Sequence, residues 1–584
     1  MNMKNLKVLL TNSPAFNLER FDRKHNKIRG YSLYPPVSIT TLAASIINEI
    51  DDIEVQVLDL EYEIMKYFNE NVQSSLSGLN LMKKIIADKM DDFEPDLVGI
   101  SVIFSISHEN TYVIANAVKE KNPNTQVVFG GNHATFAYER MLKECQNTDY
   151  IFLYEADTTF PLFLKYLQGK TRFEELNGIA WLDKATNEPK LGPYAPTIEN
   201  LDPLPIPEWG LVPIKNYQEY GRIGSVNSFG DENIPTYVMQ TVRGCVAACC
   251  FCSVRGFYGK GVRAYSPNRV LQEIDYLYNE LGIKQFEILD DDFTFDRERA
   301  LEICNGLVKR NYDLVWNILN GIRVGTITDE VMDGLVSSGC RLISIGVESG
   351  NDTTLKIVRK PLSVKFLYKK AEIIHRYPEL YVKANYIVGF PFENDEETMN
   401  TYNLAEDIGF DWNIFSIFKP LPGTPMFQEI DKEGQEDFDF DSVRNDFQFD
   451  ALREYKTAQT NNTHTSDESL FGVNISSDDE KISELAYLKN LEINFIKNKN
   501  LNGRNVDRAI RDFNGIIKFI EKDHAFAHYC LAKAYNQKDD SERVRHHMNK
   551  VVGIQADSAN HKWKEYFDKL VPINEMNELT ALLA

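Results

Sequence analysis

The 584-residue chain is 43% hydrophobic and 26% charged, an ordinary folded composition that at this length suggests three or four domains. Its net charge of −22 argues against sequence-independent binding to nucleic acid or to an anionic membrane, and no apolar run reaches the roughly eighteen residues of a membrane span. Of the eight cysteines, four crowd between 245 and 252 while Cys145, Cys304, Cys340 and Cys530 stand singly, which is no disulfide framework and fits a reducing, cytoplasmic compartment.

Taken in order, the amino-terminus lacks the apolar core of a signal peptide before Asn12 and reads as a first strand, Leu6 to Thr11. Further strands are predicted at Ile53–Leu60, Asp96–Val102, Thr125–Gly131 and Asp149–Tyr154, with helices at Ile39–Ile47 and Glu109–Lys121. This alternation argues a doubly wound parallel sheet, whose ligands sit at the carboxyl ends of the strands. Ser101, Gly130, Gly131 and Glu155 occupy those ends, and the glycine pair would let a bulky ligand approach the backbone. A lone His133 on a loop is expected to be a hydrogen-bonded surface residue. The stretch from Asn200 to Glu208 is rich in proline and reads as a stiff linker.

A strand-like run at Thr236–Thr241 leads into Cys245, Cys249 and Cys252, spaced C-x3-C-x2-C, with Phe251 before the last. Three thiolates on one short loop can hold three corners of a [4Fe–4S] cube and leave one iron open. The alternative for the same residues is a zinc knuckle or buried thiols. Zinc would need a fourth Cys or His at short spacing. Cys250 adjoins Cys249 and no His lies nearby.

Strands and helices then alternate. The strand from Gln285 ends in Asp290, Asp291 and Asp292, and that from Leu314 ends at Arg323. The strand from Leu342 ends in Glu348, Ser349 and Gly350, that from Val382 reaches Gly389, and the last starts at Asn413. Six strands with intervening helices fit a partial (β/α)6 barrel, in which polar residues at strand ends face the site. Taken singly, Asp290 or Glu348 would be ordinary surface or cap carboxylates.

Together these pieces resemble the B12-binding-domain-containing class of the radical S-adenosylmethionine (SAM) superfamily. The amino-terminal match rests on Tyr34–Pro36, Pro95–Ser101, Val128–Thr135 and the step from Asp149 to Glu155. The barrel match rests on the cysteine loop, Asp290–Phe293, Gly346–Gly350, Ile387 with Gly389, and Pro422–Pro425. Where the family often has Gly-Glu-Gly-Glu this chain has Tyr154, Glu155, Ala156 and Asp157, and it has no Asp-x-His-x-x-Gly to offer cobalt a histidine. The resemblance implies that Cys245, Cys249 and Cys252 ligate the cluster. It implies SAM contacts from Phe251, Asp290, Asp291, Glu348, Ser349, Ile387 and Gly389, and cobalamin contacts from Ser101, Gly130, Gly131 and Glu155.

After the barrel the sequence turns polar and acidic, and from about Asp479 it becomes helical. An offset of 34 residues matches Ile510 to Val544, Ile520 to Ile554, Asp523 to Asp557, Ala525 to Ala559 and Tyr529 to Trp563. That period resembles tetratricopeptide repeats, with a plain helical bundle as the alternative. The expected domains are a cobalamin-binding-like Rossmann domain at 1–195, a linker at 196–231 and a radical SAM barrel at 232–430. An acidic connecting segment at 431–478 and TPR-like helices at 479–584 complete the chain.

The resemblance implies reductive cleavage of SAM to a 5′-deoxyadenosyl radical and methylation of an unactivated carbon from methylcobalamin. One alternative is radical chemistry without methyl transfer (cyclisation, rearrangement or oxidation). Another is a non-enzymatic scaffold built on the helical tail. The expected partners are a small-molecule or carrier-bound substrate, a flavodoxin- or ferredoxin-type electron donor and a protein docked on the carboxyl-terminal helices.

Overall fold

The computed structural model describes residues 5–224 apart from 20 and 28, then 234–431, 475–557 and 561–582. All but the ends of the acidic segment expected at 431–478, and the last part of the linker, lie outside the described residues. Contacts divide the chain into two units. The first contains the described residues up to Ile223, those continuing to Phe293, and the segment from Pro420; the second contains Thr294–Lys419 and the described residues from Ile475.

The first unit is organised by a sheet of seven strands: β1 (Leu6–Asn12), β2 (Ile53–Leu58), β3 (Leu97–Ser101), β4 (Gln126–Gly130), β5 (Tyr150–Phe152), β6 (Ile179–Asp183) and β7 (Glu188–Leu191). The order is β2-β1-β3-β4-β5-β6-β7, parallel as far as β5. β1 is buried along nearly its whole length, as a strand covered on both faces must be. Helices such as Val37–Glu49 and Thr159–Leu167 contribute Ile39, Ile46, Phe163 and Leu164 to the core it shares. This is the expected doubly wound α/β domain, with its topological switch between β1 and β3. The antiparallel β6–β7 hairpin was not predicted, nor were the helices Leu60–Glu70 and Gly78–Phe93. The same unit holds β8 (Thr236–Met239), β9 (Val242–Arg243), β10 (Arg263–Ala264) and β11 (Gln285–Ile288), with β8 parallel to β11 and β9 antiparallel to β10.

In the second unit β12 (Val315–Ile322), β13 (Cys340–Glu348), β14 (Tyr381–Val388) and β15 (Trp412–Ile417) pair in parallel in that order. The helices between them start where side chains cap them. Thr328 accepts from Val331 N and Ser363 from Phe366 N, and Asn394 forms a reciprocal capping box with Glu397. With β8 and β11 these make the six strands expected of the barrel region. The helices Val506–Phe519, Ala525–Asn536, Ser541–Ala556, His561–Leu570 and Ile573–Ala581 form the expected all-α tail. Their Phe513, Phe526, Trp563 and Phe567 share one core with Leu342, Tyr381 and Trp412 of the strands.

Candidate functional site

The cysteine loop is shaped by backbone and carboxylate together. Gly244 turns it with φ +91°, where a Cβ would sit 2.7 Å from the Gly261 carbonyl, so only glycine fits. Asp290 is wholly buried, and its carboxylate accepts from Thr241 N, from Thr241 Oγ1 at 2.5 Å and from Val242 N at 3.0 Å. Asp291 accepts from Gly244 N at 3.0 Å, and burial lifts its carboxyl to about 6. The strand end at 290–291 thus holds the start of the loop by four donors.

Beyond the turn, Ala247 N donates to Cys245 Sγ at 3.4 Å and Cys252 N to the Cys249 carbonyl at 3.3 Å. Burial pushes the Cys252 thiol up to about 12, and the nearby Cys249, Asp291 and Cys245 act in the same direction. These three thiols are therefore electrostatic neighbours, while Cys250 is 6% exposed and its carbonyl accepts from Met426 N. Among the described residues no three His, Cys, Asp or Glu side chains converge as they would on a single ion. A cube, unlike an ion, takes its thiolates at separate corners, and three half-buried thiols on one turn suit that donor set.

At the carboxyl ends of β3 and β4 the sheet opens into a cavity of about 200 Å³, lined among others by Phe104, Ser105, Asn132, His133, Phe136 and Ser253. Gly131, just before Asn132 of that lining, has a φ of +111°, and a Cβ there would lie 2.7 Å from the Val102 carbonyl. Gly130 and Ser101 hold the neighbouring backbone, with Val102 N donating to the Gly130 carbonyl at 2.7 Å and Ser13 N to the Ser101 carbonyl at 2.9 Å. Asn132 Nδ2 donates to Ser253 Oγ at 3.2 Å, whereas its Oδ1 is buried with no hydrogen-bond partner among the described residues. Ser253 follows Cys252, so the cavity and the cysteine loop adjoin. The predicted Pro422–Pro425 motif packs here too, with Gly423 against the Phe136 ring.

His133 is 4% exposed rather than a surface residue. Its Nδ1 pairs with Ser105 Oγ at 3.1 Å and its Nε2 with His108 Nδ1 at 2.8 Å. His108 continues to Glu144 at 3.0 Å. Desolvation and the adjacent His108 hold His133 down to about 3, so it is neutral. Glu155 sits elsewhere than the cavity rim. Its two oxygens take Arg243 at 2.6 Å and Arg263 at 2.7 Å, and Asp157 takes Arg243 through both of its own. Neither arginine was singled out in the sequence. Their only signal was position, two residues before Cys245 and at the start of the returning strand.

In the second unit the Glu348 turn stands out. Glu348 has φ +70°, and Ser349 N donates to the Val347 carbonyl at 3.0 Å across it, a strained three-residue turn. Lys360 Nζ holds the Glu348 carboxylate at 2.7 Å. Ser349 Oγ donates to Glu393 at 3.0 Å, and Gly350 packs so closely on the helix Asp395–Ile408 that a Cβ would lie 2.5 Å from the Asn400 carbonyl. Ile387 is half-buried on β14, and Gly389 follows with φ +77°.

The radical SAM superfamily model matches residues 239–405, and the B12 binding domain model matches 30–164. An uncharacterised methyltransferase of Pyrococcus horikoshii is 29% identical over 395 residues, 68% of this chain and 78% of the relative. Cytidylyl-2-hydroxyethylphosphonate methyltransferase of Streptomyces wedmorensis is 28% identical over 413 residues, 65% and 75%. Anaerobic magnesium-protoporphyrin IX monomethyl ester cyclase of Cereibacter sphaeroides is 29% identical over 363 residues, 61% and 56%. Among solved structures, the cobalamin-dependent SAM radical enzyme OxsB, with aqua-cobalamin and SAM bound, superposes with a TM-score of 0.60 at 16% identity, covering 97% of this chain and 84% of its own.

Proposed function

The chain belongs to the radical SAM superfamily and carries a B12-binding domain, and from that premise we propose that it is a cobalamin-dependent radical SAM enzyme methylating an unactivated carbon. When bound, the [4Fe–4S] cluster supplies the electron that cleaves SAM to a 5′-deoxyadenosyl radical, and cobalamin supplies the methyl group. Cys245, Cys249 and Cys252 would hold three of the cluster's irons. Asp290 acts by positioning Thr241 and the loop, while the family resemblance assigns SAM contacts to Asp291 and Phe251 in the first unit and to Glu348, Ser349, Ile387 and Gly389 in the second. Ser101, Gly130 and Gly131, at the strand ends beside the cavity, and the side-chain oxygen of Asn132 within its lining would receive the corrinoid, and Glu155 would act at one remove through Arg243. His133 has both ring nitrogens engaged inside the protein and is not a cobalt ligand.

The observation that carries this reading is the hydrogen bond between Asn132, at the end of β4, and Ser253, next to the last cysteine. It lays the cavity against the cysteine loop, the proximity that methyl transfer from cobalamin to a substrate carbon radical formed near the cluster would need. A flavodoxin- or ferredoxin-type donor supplies electrons, and the substrate is a small or carrier-bound molecule. The similarity to the cyclase supports a second reading, radical chemistry without methyl transfer.

The test is anaerobic reconstitution with iron, sulfide and hydroxocobalamin, followed by desalting and metal and corrinoid analysis. About four irons with one retained corrinoid are expected. Iron without corrinoid would favour the second reading, and failure to bind iron would overturn both.

A further inference from the structure

Four buried charged groups join the cysteine loop to the amino-terminal sheet. Arg243 and Arg263 face each other across the β9–β10 pair. Arg243 binds Asp157 with two parallel contacts, Nη1 at 2.9 Å and Nη2 at 3.0 Å, and reaches Glu155 at 2.6 Å. Arg263 takes the other Glu155 oxygen at 2.7 Å and the Ile198 carbonyl at 2.9 Å. The four side chains are only 10–11% exposed. Two guanidinium groups and two carboxylates leave no net charge, the condition under which such a cluster tolerates burial. Burial alone would raise the Asp157 carboxyl, but Arg243 overrides it and keeps it below the usual range.

Both carboxylates follow β5, in the amino-terminal domain. Both cations lie on the strands that lead into and return from the cysteine loop. Tyr154, immediately before Glu155, takes φ +63°, an unusual conformation for a bulky residue. Thr135 Oγ1 accepts from its N–H at 2.9 Å, and its ring lies 6.1 Å from that of Phe257. The turn that aims Glu155 is therefore held by the short helix after β4 on one side and by the segment after the cysteines on the other.

We propose that Arg243, Arg263, Glu155 and Asp157 are positioning residues: a charge-neutral clamp that fixes the cysteine loop on the amino-terminal sheet and sets the charge felt at that loop. The proposal rests on the reading that the three cysteines hold the cluster. It adds that the cluster's electronic environment is controlled from the amino-terminal domain. A buried net charge beside an iron–sulfur cluster shifts its potential. Glu155→Gln leaves one uncompensated cation and moves the potential positive, and Arg263→Met moves it negative. The double variant restores neutrality and returns it toward the wild-type value.

Glu273→Gln is the control. It removes another buried ion pair of the same unit, with Arg269 at 2.8 Å, whose other side-chain hydrogen bonds run to Tyr237 and the Leu204 carbonyl. The experiment compares thermal midpoint, cluster potential and electron paramagnetic resonance of the reconstituted proteins. In parallel, the alkylation rate of the three thiols is measured on metal-free protein. The expected result is a potential shift of opposite sign in the two single clamp variants and about tenfold faster alkylation of Cys252 in both. The control loses stability with neither change. Equal losses of stability in all variants, with potential and alkylation as in wild type, would reduce the cluster to ordinary structural ion pairs and overturn the proposal. If the wild type takes up no iron, it is the cluster reading that fails, and the alkylation rates still decide the clamp.

Discussion

Cys249 and His133 show what one side chain contributes when its neighbours are fixed. Cys249→Ala removes one of three expected iron ligands while leaving the turn intact, since the Cys249 carbonyl, not its sulfur, accepts from Cys252 N. Iron retained after desalting should fall to a small fraction of wild type with little change in far-ultraviolet circular dichroism. Retention of full iron would remove Cys249 from the ligand set. The neutral His133 gives a pH prediction. Its folded value of about 3 lies below the unfolded value near 6.5, so the unfolded chain takes up the proton first. The stability it contributes is complete above about pH 6.5 and is lost as the pH falls toward 3, at up to about 1.4 kcal/mol per pH unit. His133→Gln should flatten that part of the acid limb in a denaturant series. An unchanged slope would mean that His133 is already charged in the folded protein. The cysteines were legible because ligand spacing is local in sequence. The burial of His133 was not, because it depends on His108 and Ser105 arriving from the loop after β3.

At the scale of elements, the strand-to-loop turns carry the site. Gly131 connects β4 to the cavity, and alanine there meets both an unfavourable φ of +111° and the Val102 carbonyl at 2.7 Å. Gly131→Ala should cost about 1–3 kcal/mol from the backbone alone and weaken corrinoid retention. Gly282→Ala meets a milder φ, +69°, within the left-handed region, and open space around it, so it should cost less and spare the corrinoid. Equal effects in the two would show that neither the φ of Gly131 nor its contact with Val102 matters to the corrinoid site. Elements of this type were readable in the sequence because strand runs ending in glycine or carboxylate are periodic and local. The left-handed turns at Tyr154 and Glu348 were not, since neither residue type announces φ above zero. Nor was the engagement of Asp290 with Thr241 and Val242, which pairs residues 48 and 49 positions apart. Sequence reasoning placed Asp290 near SAM, and the fold turns its carboxylate into the support of the cysteine loop.

Across the whole molecule, the question is whether the carboxyl-terminal helices are a separate docking module or part of the catalytic body. The repeat was visible in sequence, and helix starts at Val506 and Ser541 keep nearly that period. Sequence could not show that the helices share a core with β13, β14 and β15, where Leu342, Tyr381 and Trp412 are at most 1% exposed. Nor could it show that Asp411, leading into β15, is held by Asn500, Arg504 and Arg508, each at 2.9 Å, with Tyr381 donating to Asp512 at 2.9 Å. A fully buried aromatic contributes on the order of 5 kcal/mol by area, so removing the cover over Tyr381 and Trp412 would cost an amount comparable to the marginal stability of a domain. Removing Asp411 would leave Arg508, 10% exposed, without that carboxylate, a loss of about 3–5 kcal/mol for a buried pair. Asp411→Ala should therefore speed amide hydrogen exchange in β14 and β15 as well as in the helices, in one cooperative opening. A docking module would instead lose protection only in the helices, and protected strands beside unprotected helices would show that the tail folds on its own.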